Sequence, residues 1–292
     1  DVIASATRVS LTAAGLNQRV LGNTLMGAMT GAAHRLSGRR IPLWNRFMPS
    51  GVRFRLGAPG AEERAGQPRV VYLPSCASRT MGPARGDPER MPLYAVTAML
   101  LRRAGFSPVY PDDCDALCCG MPFESKGAFQ QADAKLLQTE QALLAASRGG
   151  IDPVLLDTSP CSFRLREHSK SGLLFLDLVD FLHDQVLPRL QLRPLPETVA
   201  VHATCSNRKM GLETKLLAIA RACARKVVAP DQVGCSGWAG DRGFTTPELN
   251  ASALRELSAA LPADCSAGYS TSRTCEIGLS LHSGLYYRSI LY

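Results

Sequence analysis

Arg69-Val70-Val71-Tyr72-Leu73-Pro74-Ser75-Cys76 decides the fold class. Its four central apolar residues have the length of a strand buried on both faces, and Pro74-Ser75 ends the strand just before a cysteine. The pattern returns twice. Val154-Leu155-Leu156 runs into Ser159-Pro160-Cys161, and Val199-Ala200-Val201 runs into His202-Ala203-Thr204-Cys205.

Helical stretches separate these strands. Leu93 to Ala104 reads as a helix stopped by Gly105, and Ala128 to Ala146 as a longer one closed by Gly149-Gly150. Between them a strand at Pro108–Tyr110 leads to Cys118-Cys119-Gly120. The second half repeats the order. A helix spans Leu212 to Ala224, and Val227-Val228 leads to Cys235-Ser236-Gly237. A further helix covers Pro247 to Leu261, and a Ser/Thr-rich segment reaches Cys275. The expected fold is therefore α/β: two duplicated units with parallel sheets and flanking helices, preceded by a helical arm. Boundaries fall at 1–69 for the arm and linker, 70–195 for the first unit and 196–292 for the second.

In parallel sheets the loops after the strands gather at one edge, where ligands bind. Cys76, Cys118, Cys119 and Cys161 all lie in such loops, so they can converge despite their separation in sequence. Four thiolates meet the demand of a tetrahedral zinc or of a [4Fe–4S] cluster. Cys205, Cys235 and Cys275 are the equivalents in the second unit, where Ser236 stands in place of the second paired cysteine. A serine hydroxyl is a poor ligand for a soft metal, which makes the first unit the better site. Cys114, Cys223 and Cys265 read as packing residues. His202 is either a metal nitrogen or a buried, hydrogen-bonded histidine. Asp241 and Arg242 read as an ion pair that fixes their loop. No Ser/His/Asp order, phosphate-binding glycine loop or carboxylate pair marks a self-sufficient enzyme.

Charge and composition narrow the function classes. The 292 residues hold 33 Lys+Arg and 25 Asp+Glu, a net charge of +8, with a mean hydropathy near zero. Residues 1–69 carry ten arginines against Asp1, Glu62 and Glu63, so the excess belongs to the arm and the body is nearly neutral. A neutral body without a recognition motif argues against nucleic acid. The arm divides into an Ala/Gly-rich stretch, Ser10 to Ala33, and a basic stretch, His34 to Arg55. The second, with Trp44 and Phe47 among its arginines, reads either as a solvated connector packed on another domain or as a surface suited to lipid headgroups or an acidic partner. Gly57 to Pro68 reads as a linker. No signal peptide or membrane-spanning run is apparent, so the expected location is cytoplasmic, with peripheral contact at the inner face of the membrane. In that compartment the ten cysteines serve as thiols, metal ligands or redox groups, and not as a disulfide framework.

At these residues the chain resembles the cysteine-rich CCG family of heterodisulfide reductase subunits, glycolate oxidase iron–sulfur subunits and lactate-utilisation proteins. That family repeats Cys…Cys-Cys-Gly…Cys-x-x-Cys twice. Cys76, Cys118-Cys119-Gly120 and Cys161 match the first copy, and Cys205, Cys235-Ser236-Gly237 and Cys275 the second. Thr158, Ser236 and Ser272 depart from it, so a five-thiolate cluster lacks a ligand in each copy. The segments Cys235 to Phe244 and Ser270 to Gly278 further resemble the C-terminal end of bacterial FAD- and iron–sulfur-containing D-lactate and D-2-hydroxyacid dehydrogenases. The resemblance implies a C-terminal electron-transfer fragment, with FAD and ferredoxin-like domains in the remainder of a longer chain and a quinone or cytochrome as acceptor. Two other readings stay open: a zinc-bound or metal-free docking module, and thiol–disulfide chemistry at Cys118 and Cys119.

Overall fold

In a computed structural model, which describes residues 2–55, 66–238 and 240–292, the chain is α/β, with two four-stranded parallel sheets flanked by helices and a long helix at the N-terminus. That helix, α1 (Val2–Leu36), continues through a break at Gly22, where φ is +72°. It is followed by a short strand, β1 (Pro49–Gly51). Most of the expected linker, residues 57–65, lies outside the described residues.

The first unit runs β2 (Arg69–Leu73), α2 (Cys76–Thr80), β3 (Met81–Ala84), α3 (Leu93–Arg103), β4 (Ser107–Val109), α4 (Met121–Glu124) and α5 (Phe129–Ala146). It closes with β5 (Val154–Leu156), α6 (Ser159–His168), β6 (Phe175–Asp177) and α7 (Leu178–Phe181). The second unit runs β7 (Leu195–Val201), α8 (Cys205–Lys209), α9 (Glu213–Cys223), β8 (Ala224–Val228), α10 (Pro247–Ala253) and α11 (Leu257–Ala260). It ends with β9 (Cys265–Ser270), α12 (Arg273–Ser283) and β10 (Tyr287–Ser289).

The sheet orders are β4-β2-β5-β6 and β8-β7-β9-β10, the same connectivity twice. The pairings Val71↔Val109 and Val71↔Val154 place β2 between β4 and β5. Val199↔Val227 and Ala200↔Gly268 do the same for β7. The duplication expected from the cysteine spacing is thus a duplication of topology, and it includes one strand per unit that the apolar runs did not reveal, β6 and β10. The expected helix over Pro247 to Leu261 is two helices, parted at Leu254–Glu256.

The chain reverses direction across each sheet between β2 and β5, and between β7 and β9. Such a reversal opens a crevice beyond the carboxyl ends of the two strands. One apolar cluster joins the units, uniting Val70, Tyr72, Leu155 and Phe181 with Val201, Leu212, Leu216 and Ile219. The arm docks on the body. Arg8 pairs with Asp115 at 2.8 Å, β1 pairs antiparallel with β3, and Phe47 and Met48 are buried. No helix among the described residues is long and apolar enough to cross a membrane.

Candidate functional site

Cys76 opens α2 directly after β2, and Cys161 lies in the first turn of α6 after β5, so the two flank the crevice of the first sheet. Cys118-Cys119-Gly120 arrives on the loop after β4. The four sulfurs meet: Cys76 hydrogen-bonds Cys118, Cys118 bonds Cys119, and Cys119 donates to Cys161 at 3.3 Å. Cys118, Cys119 and Cys161 are buried, and Cys76 is half-buried.

Electrostatics within the set are asymmetric. Hydrogen bonds from Cys119 and Cys76, together with the Gly120 N–H, stabilise the Cys118 thiolate and hold it down at about 3. Donation to Cys118 pushes the Cys76 and Cys119 thiols up, and burial adds to this. The thiolate of the set is therefore Cys118, with the Arg79 guanidinium nearby to offset its charge. Among the described residues no three His, Cys, Asp or Glu side chains stand in a ready-made coordination shell. The donor set of four soft sulfurs, with a backbone N–H 3.4 Å from the Cys118 sulfur, nonetheless fits a thiolate-bound metal or iron–sulfur cluster.

Two arginines fix the loop that brings Cys118 and Cys119. Arg79, three residues after Cys76, is 1% exposed and donates to the carbonyls of Pro74, Cys114 and Leu117. Arg164, three residues after Cys161, is equally buried, donates to the Cys119 carbonyl at 2.7 Å and pairs with Glu124 and Asp133. Each cysteine-bearing helix thus sends an arginine one turn on to grip the third cysteine segment. Sequence reasoning passed over these residues. Their signal is Cys-x-x-Arg, present at Cys76, at Cys161 and again at Cys205, where Arg208 comes within 4 Å of the space beside Gly234.

Gly120 completes the loop. Its φ is +90°, and a Cβ there would stand 2.4 Å from the Ala132 carbonyl oxygen. Gly237 repeats this in the second unit, with φ +67° and the Leu249 carbonyl oxygen at 2.4 Å. The glycine after each cysteine pair position is required by backbone shape and by close packing on the next helix.

The second set is looser. Cys205 and Cys235 are exposed and bond each other, while half-buried Cys275 accepts from the Ser236 and Ser272 hydroxyls. The hydrogen bond from Cys205 lowers Cys235 to about 6 and raises Cys205. Burial raises Cys275 to about 11. Cys114 and Cys265 sit in apolar clusters and Cys223 packs against one, as expected of packing residues. Among the described residues Asp241 does not pair with Arg242; its carboxylate meets Lys126 of the first unit at 2.8 Å, while the loop is closed by backbone bonds such as Gly243 N–H to the Trp238 carbonyl.

His202 is buried, with Nδ1 3.3 Å from Ser270 Oγ and Nε2 without a partner among the described residues. Burial, then the Arg208 charge, lowers its imidazole to about 4. A base depressed on folding is protonated first in the unfolded chain, so its contribution is present above about pH 6.5 and is lost as pH falls toward about 4. Glu276 opposes it. Burial raises this carboxyl to about 7, so its ionisation destabilises the fold and protonation relieves that as pH falls from about 7 to about 4.5. The two offset, each by about 2–3 kcal/mol at pH 5. His202→Gln is therefore expected to gain about 2–3 kcal/mol relative to the parent chain in urea unfolding as pH falls from about 7 to about 5, since every other titrating group contributes equally to both. Equal slopes in the two proteins would refute this account.

No protein-family model matches the sequence, and no curated protein matches it. Among solved structures, an aspartate racemase of Picrophilus torridus is similar over 76% of this chain and 89% of its own, at 11% identity and a TM-score of 0.35.

Proposed function

We propose that this chain is the electron-transfer region of a flavin- and iron–sulfur-dependent D-2-hydroxyacid dehydrogenase, with D-lactate as the expected substrate of the whole enzyme. The observation that carries the reading is the meeting of Cys76, Cys118, Cys119 and Cys161 as four free thiols at the reversal point of the first sheet. The CCG-type spacing of these residues, and the likeness of Cys235 to Phe244 to the end of such dehydrogenases, support the same reading.

A [4Fe–4S] cluster bound there would accept and release single electrons arriving from FAD elsewhere in the enzyme and leaving toward a quinone or cytochrome. The chain's own residues set the conditions for this. Burial of three of the cysteines excludes water, the Gly120 N–H donates to sulfur, and the Arg79 cation offsets thiolate charge. Arg79 and Arg164 hold the three cysteine segments at fixed separations. The exposed arginines Arg35, Arg39 and Arg40 at the end of α1 suit contact with anionic headgroups at the cytoplasmic face of the membrane.

Metal analysis after anaerobic purification tests the proposal. The expected result is a brown protein with about four iron and four sulfide per chain, bleached by dithionite, and lost in both Cys118→Ser and Cys161→Ser. A colourless protein with stoichiometric zinc would make the site a structural centre and the chain a docking module.

A further inference from the structure

The second thiol set differs from the first in the company each sulfur keeps. Cys275 is engaged by two hydroxyls, those of Ser236 and Ser272. These are the positions at which a further soft ligand would be needed to complete a thiolate metal site. That leaves Cys205 and Cys235, which are exposed and hydrogen-bonded to each other.

Both are held in place by backbone. Cys205 starts α8, whose cap Thr204 accepts from the Asn207 N–H at 3.2 Å and contacts Thr271 Oγ1 at 2.9 Å. Cys235 receives the Gly237 N–H at 3.3 Å, and Gly237 itself is pinned against the Leu249 carbonyl. Two exposed cysteines are thus presented to each other by the start of α8 and the loop after β8. In the first set, by contrast, the paired cysteines are shut away from solvent.

We propose that Cys205 and Cys235 form a reversible dithiol–disulfide couple that exchanges with small-molecule disulfides. Cys235 is the attacking sulfur, since it accepts hydrogen bonds from both Cys205 and the Gly237 N–H. As a thiolate it attacks one sulfur of the small disulfide, forming a mixed disulfide and expelling one small thiolate, which takes up a proton. Cys205 then loses its proton and attacks the Cys235 sulfur, forming the Cys205–Cys235 bond and expelling the second small thiol. Two protein thiols are oxidised and one small disulfide is reduced to two thiols. The reverse sequence restores the dithiol, so no other oxidant or reductant is required.

The test uses the full chain, held anaerobically in buffers of graded reduced and oxidised glutathione, followed by thiol blocking and peptide mass mapping. The expected result is one cross-link between the Cys205 and Cys235 peptides, with the loss of two free thiols, reversed by excess reduced glutathione. Cys205→Ser is expected to trap a glutathione adduct on Cys235, and Cys235→Ser to abolish the cross-link. Cys275→Ser is expected to keep it. The proposal is overturned if no Cys205–Cys235 cross-link forms in the most oxidising buffer, or if Cys275 is the partner instead. It is also overturned if the purified chain carries a metal that Cys205→Ser releases. Peptide mapping resolves these cysteines from Cys76, Cys118, Cys119 and Cys161, so the outcome is independent of what the first set binds.

Discussion

Arg79→Met is expected to lower the unfolding free energy by about 3–5 kcal/mol and to remove any metal from the first cysteine set. Methionine replaces most of the apolar stem but none of the donors. The carbonyls of Pro74, Cys114 and Leu117 then lie buried without their partner. Each unsatisfied buried acceptor costs about 1–3 kcal/mol, and water entry recovers part of that. The loop from Cys114 to Cys119 also loses its tie to α2, so Cys118 no longer holds its distance from Cys76. Arg79→Lys keeps the charge but cannot reach three acceptors at once, and an intermediate loss is expected. Asp115→Asn is the control. Its carboxylate is 48% exposed, 3.6 Å from Arg79 and 2.8 Å from Arg8 of the arm, so its removal should cost about 0–1 kcal/mol per pair. Urea unfolding and metal content decide the matter, and an Arg79→Met protein as stable as its parent would refute the role assigned to this side chain.

Gly120→Ala is expected to cost about 2–5 kcal/mol. A Cβ at φ +90° is strained in itself, and it would press on the Ala132 carbonyl at 2.4 Å and on Arg164 Nε at 3.0 Å. The backbone of α5 cannot yield as a flexible side chain would, so the Cys118-Cys119 segment must tilt. Gly237→Ala meets the same geometry against Leu249 and should be similarly destabilised, yet leave metal at the first set unchanged. Gly105→Ala separates conformation from crowding: φ is +83° with nothing within 4 Å, so only the left-handed cost of about 1–2 kcal/mol applies. If all three variants lose the same amount, the close packing assigned to Gly120 and Gly237 has no energetic role.

Much of this architecture is legible in short stretches of sequence because parallel strands buried on both faces are continuous apolar runs. Val70–Leu73, Val154–Leu156 and Val199–Val201 announce themselves in that way, and the cysteine after each marks the strand end. The fourth strands do not. β10 consists of Tyr287-Arg288-Ser289, and its Arg288 is buried only because Asp87, 201 residues away in sequence, accepts from it at 2.7 Å. The division of the second site is hidden for a similar reason. Nothing near Cys275 in sequence indicates that Ser236 will reach its sulfur, since that contact requires the loop after β8 to meet the helix after β9. Arg79 and Arg164 were within reach of a local reading, as cysteine and arginine one helical turn apart. Their partners are backbone carbonyls, however, which no side-chain motif records.

The apolar cluster that runs from Val70 through Phe181 to Leu216 and Ile219 has a consequence for how a duplicated chain can age. Once two copies share a core, neither can be discarded, because removing one strips the other of its cover. A copy relieved of its original chemistry is still held in place as scaffold, and its loops are free to take up different work. In the second unit the Ser236 and Ser272 hydroxyls meet the Cys275 sulfur on a scaffold that the shared core holds in place whatever work its loops do.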